Sequence, residues 1–410
     1  MPGGFRSAPL LAAMLLAFGP SATGWAQDLT VNALADVRLI RPSTQRSWMD
    51  GGLGKLRFGG DGDRSPDLRL DQVIADVGLK LGPDFLAFAS LRHEQAQRTA
   101  IDVTEAYGRY RLISTDAARW SIKLGAFFPP ISLENDGIGW TSPWTLTPSA
   151  INSWVGEELR TIGGETTLEW RTATGALGLT GAVFGANDPT GVLIAARGWS
   201  FGDRPTGLFD RVRVADDVTR RSRRVPPYFE SEFLEMDDRL GVYGGLSWRE
   251  NGLGRLTLLR YDNRADPAAR RYGQVAWRTE FTSVGLEAYL RDFVLFGQAM
   301  AGETEIDPSP AGRATTRFQS AYLLAGRHFG SWNAAMRLDV FATQVKPGGN
   351  QEPTERGHAL TLAATWAPER WFQLTGEVMR IDSRRAQRNG IGLPPRSVET
   401  QLQLNLRFLY

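Results

Sequence analysis

Along this sequence, tight turns alternate with long polar connections, and the segments between them alternate apolar with polar side chains. The tight turns are GPD at 82–84, STDAA at 114–118, TATG at 172–175, ENG at 250–252, RD at 291–292, GS at 330–331 and APE at 367–369. Gly, Pro, Asn and Asp supply the backbone angles such turns require. The long stretches fall at about 41–67, 95–100, 128–160, 187–238, 263–273, 303–315, 346–356 and 383–395. Seven short and eight long connections predict sixteen strands, with both ends of the chain on the short-turn side. A soluble sandwich has no reason to sort its loops by length. A barrel in an outer membrane does sort them, with short turns on the periplasmic side and long loops outside.

The last ten residues, QLQLNLRFLY, sharpen this expectation. Successive strand side chains point to opposite faces, so Leu402, Leu404, Leu406, Phe408 and Tyr410 share one face. Gln401, Gln403, Asn405 and Arg407 share the other, and Leu409 interrupts the polar series. An open strand edge in hydrocarbon leaves backbone groups unsatisfied, so this segment is expected to pair with the first strand, near 29–40. Its apolar face with a terminal aromatic is similar to the signal by which barrel-assembly machinery recognises its clients. Phe85, Tyr110, Trp120, Trp170, Trp248, Tyr289, Phe293, Phe329, Trp332, Trp366 and Trp371 all sit within a few residues of a short turn. With Tyr410 they predict an interfacial aromatic girdle. The expected fold class is all-β: a transmembrane antiparallel β-barrel of sixteen strands, residues 27–410, with a long loop folded inward.

The front of the chain speaks to compartment. Arg6 precedes the apolar run LLAAMLLAF at 10–18, then Pro20 and a small-residue site before Gln27, the order of a secretory signal peptide cleaved after Ala26. That run is about half the ~20 residues a spanning helix needs, and no later run is long enough. The expected location is the outer membrane of a Gram-negative cell, in contact with its lipid and lipopolysaccharide. There is no cysteine, so no disulfide supports an exported protein. Lys+Arg number 47 against 45 Asp+Glu, a balance that argues against a nucleic-acid partner.

Sixteen strands enclose a lumen too wide for wall side chains to fill, which makes a water-filled channel for small hydrophilic solutes the expected function. No cofactor and no metal site is expected. Alternation assigns Arg38, Lys80, Glu105, Arg109, Arg111, Arg337 and Arg407 to the inward face. Five of these (Arg38, Lys80, Arg109, Arg111 and Arg407) lie on strands that become neighbours on closure, and so predict one basic wall. The connection at 128–160 is long, with prolines and tryptophans poorly suited to bulk water. It is expected to fold into the lumen as a constriction, offering Glu134, Asp136, Glu157, Glu158 and Arg160. The other reading of this loop is an extracellular one packed at a subunit interface. The loop at 187–238 is expected outside, its arginines at 211, 213, 220, 221, 223 and 224 forming a solvated surface.

VTEAYGRYR followed by LGAFFPPISLEND resembles the phosphate-selective porin O and P family, over roughly residues 103–135. The matching positions are Glu105, Ala106 and Tyr107, then Gly125, Phe127, Pro129, Pro130, Ser132, Leu133 and Glu134. The resemblance implies a homotrimer of sixteen-stranded channels. Phosphate selectivity does not follow, because four scattered lysines cannot form the family's lysine-rich inner region. The rival readings are an outer-membrane barrel enzyme and a secreted all-β binding protein. The enzyme needs a histidine constellation, and His93, His328 and His358 fall at scattered heights on three strands.

Overall fold

The computed structural model describes residues 27–307, 312–346 and 354–410; the expected leader at 1–26, with its cleavage site, lies outside them. Sixteen antiparallel strands close into one barrel. In chain order they are β1 (Gln27–Arg41), β2 (Asp67–Leu81), β3 (Phe85–Glu94), β4 (Asp102–Ser114), β5 (Ala118–Phe127), β6 (Thr161–Arg171), β7 (Gly175–Gly185) and β8 (Gly241–Glu250). They continue as β9 (Gly254–Asp262), β10 (Arg278–Leu290), β11 (Phe293–Ile306), β12 (Ala314–Phe329), β13 (Trp332–Lys346), β14 (Glu355–Glu369), β15 (Phe372–Arg385) and β16 (Arg396–Leu409). Closure is by β1 against β16, in register from Leu34 opposite Leu409 to Arg41 opposite Leu402. Tyr410 completes it: its N–H donates to Ala33 O and its carbonyl accepts from Ala33 N, both at 2.9 Å.

The period-two pattern decides which face is which. Outward side chains such as Leu68, Leu124 and Val340 are more than half exposed, while their sequence neighbours turn to the lumen. The short turns lie where the sequence places them, except the seventh. There β14 runs through Pro368 to Glu369, with a register shift after Trp366 that moves the turn to 370–371. Proline lacks an N–H for the ladder, and a bulge accommodates it. The stretch at 303–315 is mostly strand, so that connection shrinks to 307–313. Most girdle aromatics, from Tyr110 and Trp120 to Trp366 and Tyr410, are exposed. Tyr289 differs: it shares the inward parity of Glu287, to which its hydroxyl donates at 2.6 Å.

Three long connections fold inward. Residues 42–66, 128–160 and 186–240 pack against the inner wall towards the long-loop end. The second carries helix α1 (Ala150–Glu158) and the third carries α2 (Val192–Arg197) and α3 (Asp216–Arg221). Trp154 of α1 meets Phe281, Phe318 and Trp199 with ring centroids 5.1–6.0 Å apart. Tyr261 stacks between Phe184 and Phe281. These residues form one apolar core inside the barrel. Burying each large side chain contributes roughly 1.5–3 kcal/mol, enough in sum to hold the loops in place.

Candidate pore and its inner wall

The inward fold of 128–160 starts from the motif that precedes it. The Glu105 carboxylate accepts from Phe128 N at 2.9 Å and so ties the loop's first residue to β4. Gly125 has φ +136°, and a Cβ there would lie 2.3 Å from Ala106 O, so glycine is needed for β5 to approach β4 this closely. The Arg160 guanidinium lies 3.5 Å from the centroid of Phe128 at the loop's other end. Ser149 caps α1 by accepting from Asn152 N. Glu134 accepts from Ser149 N at 2.8 Å and from Asn152 Nδ2 at 2.7 Å.

Arg337 anchors the loop to the wall. Its guanidinium pairs with Asp339 at 2.9 Å and Glu134 at 3.3 Å. It also donates to Thr147 O at 2.7 Å and Pro148 O at 2.9 Å. Glu377 adds a second anchor by accepting from Leu146 N and Thr147 N. Arg337, Glu134 and Asp339 have almost no exposure.

A second buried network joins the other inward loops to β1–β3. Arg38 pairs with Asp203 at 2.8 Å and Asp71 at 3.2 Å. Arg57 pairs with Asp71, Glu94 and Asp203 at 2.6–3.0 Å. Burial alone would push the Asp203 carboxyl up, but Arg38 and Arg57 together hold it below the usual range. Arg407 pairs with Asp36 at 2.8 Å across the closing seam. Two members of the expected basic wall, Arg38 and Arg407, are therefore neutralised by carboxylates.

The other three face differently. Cross-strand register sets Lys80, Leu86, Arg109, Lys123 and Glu165 in one inward row over β2–β6. Lys123 pairs with Glu165 at 2.9 Å. Among the described residues, Lys80, Arg109 and Arg119 make no salt bridge, and the Arg111 side chain donates only to Pro83 O at 3.3 Å. Arg119 went unnoticed in the sequence, although alternation from Lys123 puts it on the same face. These cations cluster in the short-turn half of the lumen. On the neighbouring wall a cavity of about 230 Å³ lies between Ser132 and Leu133 of the loop and Glu169, Arg249 and Arg255.

The loop carboxylates separate in the same way. Glu157 pairs with Arg197. Glu158 accepts from Trp154 Nε1, Gly191 N and Leu193 N, and burial pushes it up to about 7. Asp136 alone of the four is exposed, with its carboxyl raised by burial of its surroundings. Arg160 is fully buried and donates to the carbonyls of Thr104, Leu159 and Thr206. Burial pushes its guanidinium down to about 9.

The loop at 187–238, expected outside, also reaches inside: Trp199, Phe201, Asp203 and Glu232 are buried. Glu232 has neither carboxylate oxygen hydrogen-bonded, and burial raises it well above its ordinary value. The signal missed is the inward parity of Phe184, Tyr243, Tyr261, Phe281, Phe318 and Phe341, all near long loops. Asp188, Glu235 and Asp237 bring carboxylate oxygens within 4.8 Å of one another, again unnoticed in the sequence. Asp188 accepts from Met236 N at 2.5 Å. Burial, helped by the Glu235 and Asp237 charges, pushes it up to about 7.

Strand number, closure and inward loops define the fold of sixteen-stranded outer-membrane porins. The anion-selective porin from Comamonas acidovorans matches with a TM-score of 0.54 and 11% identity, over 94% of this chain and 100% of that one. The outer-membrane channel DcaP of Acinetobacter baumannii matches at 0.56 and 9%, over 96% and 100%. OmpT, an outer-membrane protein of Vibrio cholerae, matches at 0.53 and 8%, over 95% and 99%. At such identities the likeness is one of fold. No family model matches the chain, and no curated protein does.

Proposed function

We propose that this protein is an outer-membrane porin, a channel for passive diffusion of small hydrophilic solutes with a weak preference for anions. The observation that carries the reading is the lumen-facing group Lys80, Arg109, Arg111 and Arg119, which lacks carboxylate partners inside a closed barrel. Unneutralised charge on a low-dielectric wall raises the local concentration of counter-ions. The loop at 128–160 is the constriction, and Asp136 is its exposed acid. Exposed outward leucines and the aromatic girdle support a lipid surrounding for the barrel. A homotrimer is the assembly we favour; OmpT of Vibrio cholerae has a trimer form. Kinship with the phosphate-selective porins rests on the motif at 103–135, where Glu105 and Gly125 have the structural work described above. The three histidines do not form the constellation the enzyme reading needs: His93 is on the outer face of β3 and His358 on that of β14, while His328 faces the lumen beside Trp144.

The test is single-channel recording in planar bilayers under a potassium chloride gradient. The expected result is ohmic steps with a reversal potential of mildly anion-selective sign. A purified, heat-modifiable barrel that yields no steps at any pH between about 5 and about 8 would overturn the channel reading.

A further inference from the structure

The outer wall carries a feature that solute passage does not use. Register places Ala301, Gln319, Ala342, Arg356, Arg384 and Arg396 side by side at one height across β11–β16. All belong to the outward parity. Three arginines therefore stand directly opposite one another on three adjacent strands. Like charges in directly opposed cross-strand positions destabilise a sheet unless something neutralises them. One step toward the short-turn end the row reads Ala299, Ala321, Val340, His358 and Asp382. One step further it reads Leu323, Leu338, Leu360 and Arg380, and the apolar belt has begun.

Asp382 is the acid within this patch, and it is taken by Arg396 at 2.6 and 3.1 Å. The side chains of Arg356 and Arg384 make no hydrogen bond or salt bridge among the described residues. Beside them the small side chains of β11–β13 leave an open groove of about 900 Å³. Its floor is Ala299, Ala301, Ala321, Ala342 and Gly357, and the arginines form one rim.

We propose that this groove binds a phosphorylated, acylated lipid of the outer leaflet. Its phosphates lie on Arg356 and Arg384, and an acyl chain lies over the alanines. The proposal rests on the outer-membrane reading above, because only then does lipid reach this face at the headgroup level. Two facts point to lipid rather than to a solute or a second chain. The groove straddles the boundary between polar and leucine rows, which suits an amphiphile. The guanidinium fork matches phosphate oxygens and stays charged when dehydrated. Basic patches at the membrane boundary recognise anionic headgroups on the same grounds.

The test uses the full barrel purified in detergent, with lipid A and its dephosphorylated form as probes, read by native mass spectrometry. The wild type is expected to retain lipid A, and the dephosphorylated probe at least tenfold less. Arg356→Gln with Arg384→Gln should lower lipid A retention at least tenfold. Ala342→Trp, which fills the floor and leaves the arginines in place, should lower it severalfold. Arg317→Gln, on the same outer face but paired with Glu303 at 3.3 Å, should change nothing. Heat modifiability confirms that each variant is a closed barrel, and its conductance should match the wild type. Equal retention of both probes, or full retention by the double variant, would overturn the proposal. So would loss of subunit association in the double variant without loss of lipid, which would assign the face to a second copy. Absence of conductance with intact lipid retention would count against the channel reading alone.

Discussion

Arg337 and Arg109 look alike in the sequence: each sits on an alternating strand, on the face away from its leucines. In the structure Arg337 is buried under the loop at 128–160, paired with Glu134 and Asp339. Arg109 has no salt bridge, and its Nε finds no partner. The contrast extends to their surroundings. The long-loop half of the lumen is filled by three inward loops with an aromatic core and paired charges. On β2–β5 the short-turn half keeps unneutralised cations. Alternation selects a face, but the partner across the lumen decides whether a charge on it acts as an anchor or is left unpaired.

The comparison breaks most directly at the anchor. Arg337→Met leaves the Glu134 and Asp339 carboxylates buried without their counter-charge, an outcome that costs about 3–5 kcal/mol. The expected result is a lower temperature for the heat-induced gel shift and larger, noisier channels as the loop loosens. Arg109→Met breaks no ion pair and should cost far less, about 0.5 kcal/mol. Equal shifts for the two variants would mean that the two halves of the lumen are not different environments.

Charge reversal should sharpen it from the other side. Arg109→Glu with Arg111→Glu is expected to move the reversal potential toward cations by tens of millivolts, with little change in the gel shift. Reversal potentials within error of the wild type would place the ion path elsewhere.

Protonation distinguishes the halves more gently. Burial pushes Glu158 and Glu230 up to about 7, and burial together with their charges raises Glu232 well above its ordinary value. A carboxyl whose folded pKa lies above its unfolded value stabilises fully below the unfolded value and loses that contribution as pH rises through the folded one. Loop packing should thus weaken between about pH 5 and about pH 8, seen as a severalfold rise in open-state noise. Conductance that is flat, or that falls over this range, would show that these carboxyls do not hold the loops. The smallest effect is expected of Asp136→Asn, a slight shift toward anions with no change in stability. A loss of stability would show that Asp136 is an anchor after all.

Much of the fold was legible because its determinants are local. Turn residues and the period of two require only a few neighbours, and they yielded strand number, closure and girdle. They misplaced the turn at APE, where Pro368 sits in a bulged strand, and overstated the connection at 303–315. The candidate site was legible only as a set of inward side chains. Glu105 and Arg337 were expected on the inward face and Glu134 in the loop at 128–160, and the structure has all three hold that loop. The loop at 187–238 was taken for an outer surface because its arginines are clustered, while Trp199 and Phe201 carry it inside.

The sequence alone determined which side chains face outward and which face the lumen, since backbone pleating imposes that on each strand independently. It also determined that the last strand must meet the first, since hydrocarbon tolerates no open edge. Tertiary structure alone decided the pairing of charges. Asp36 and Arg407 meet across 371 positions, and Glu134 and Arg337 across 203. Such partners are chosen by closure and by loop packing, so no local pattern marks Arg337 as buried, Arg109 as free, or Arg356 and Arg384 as neighbours.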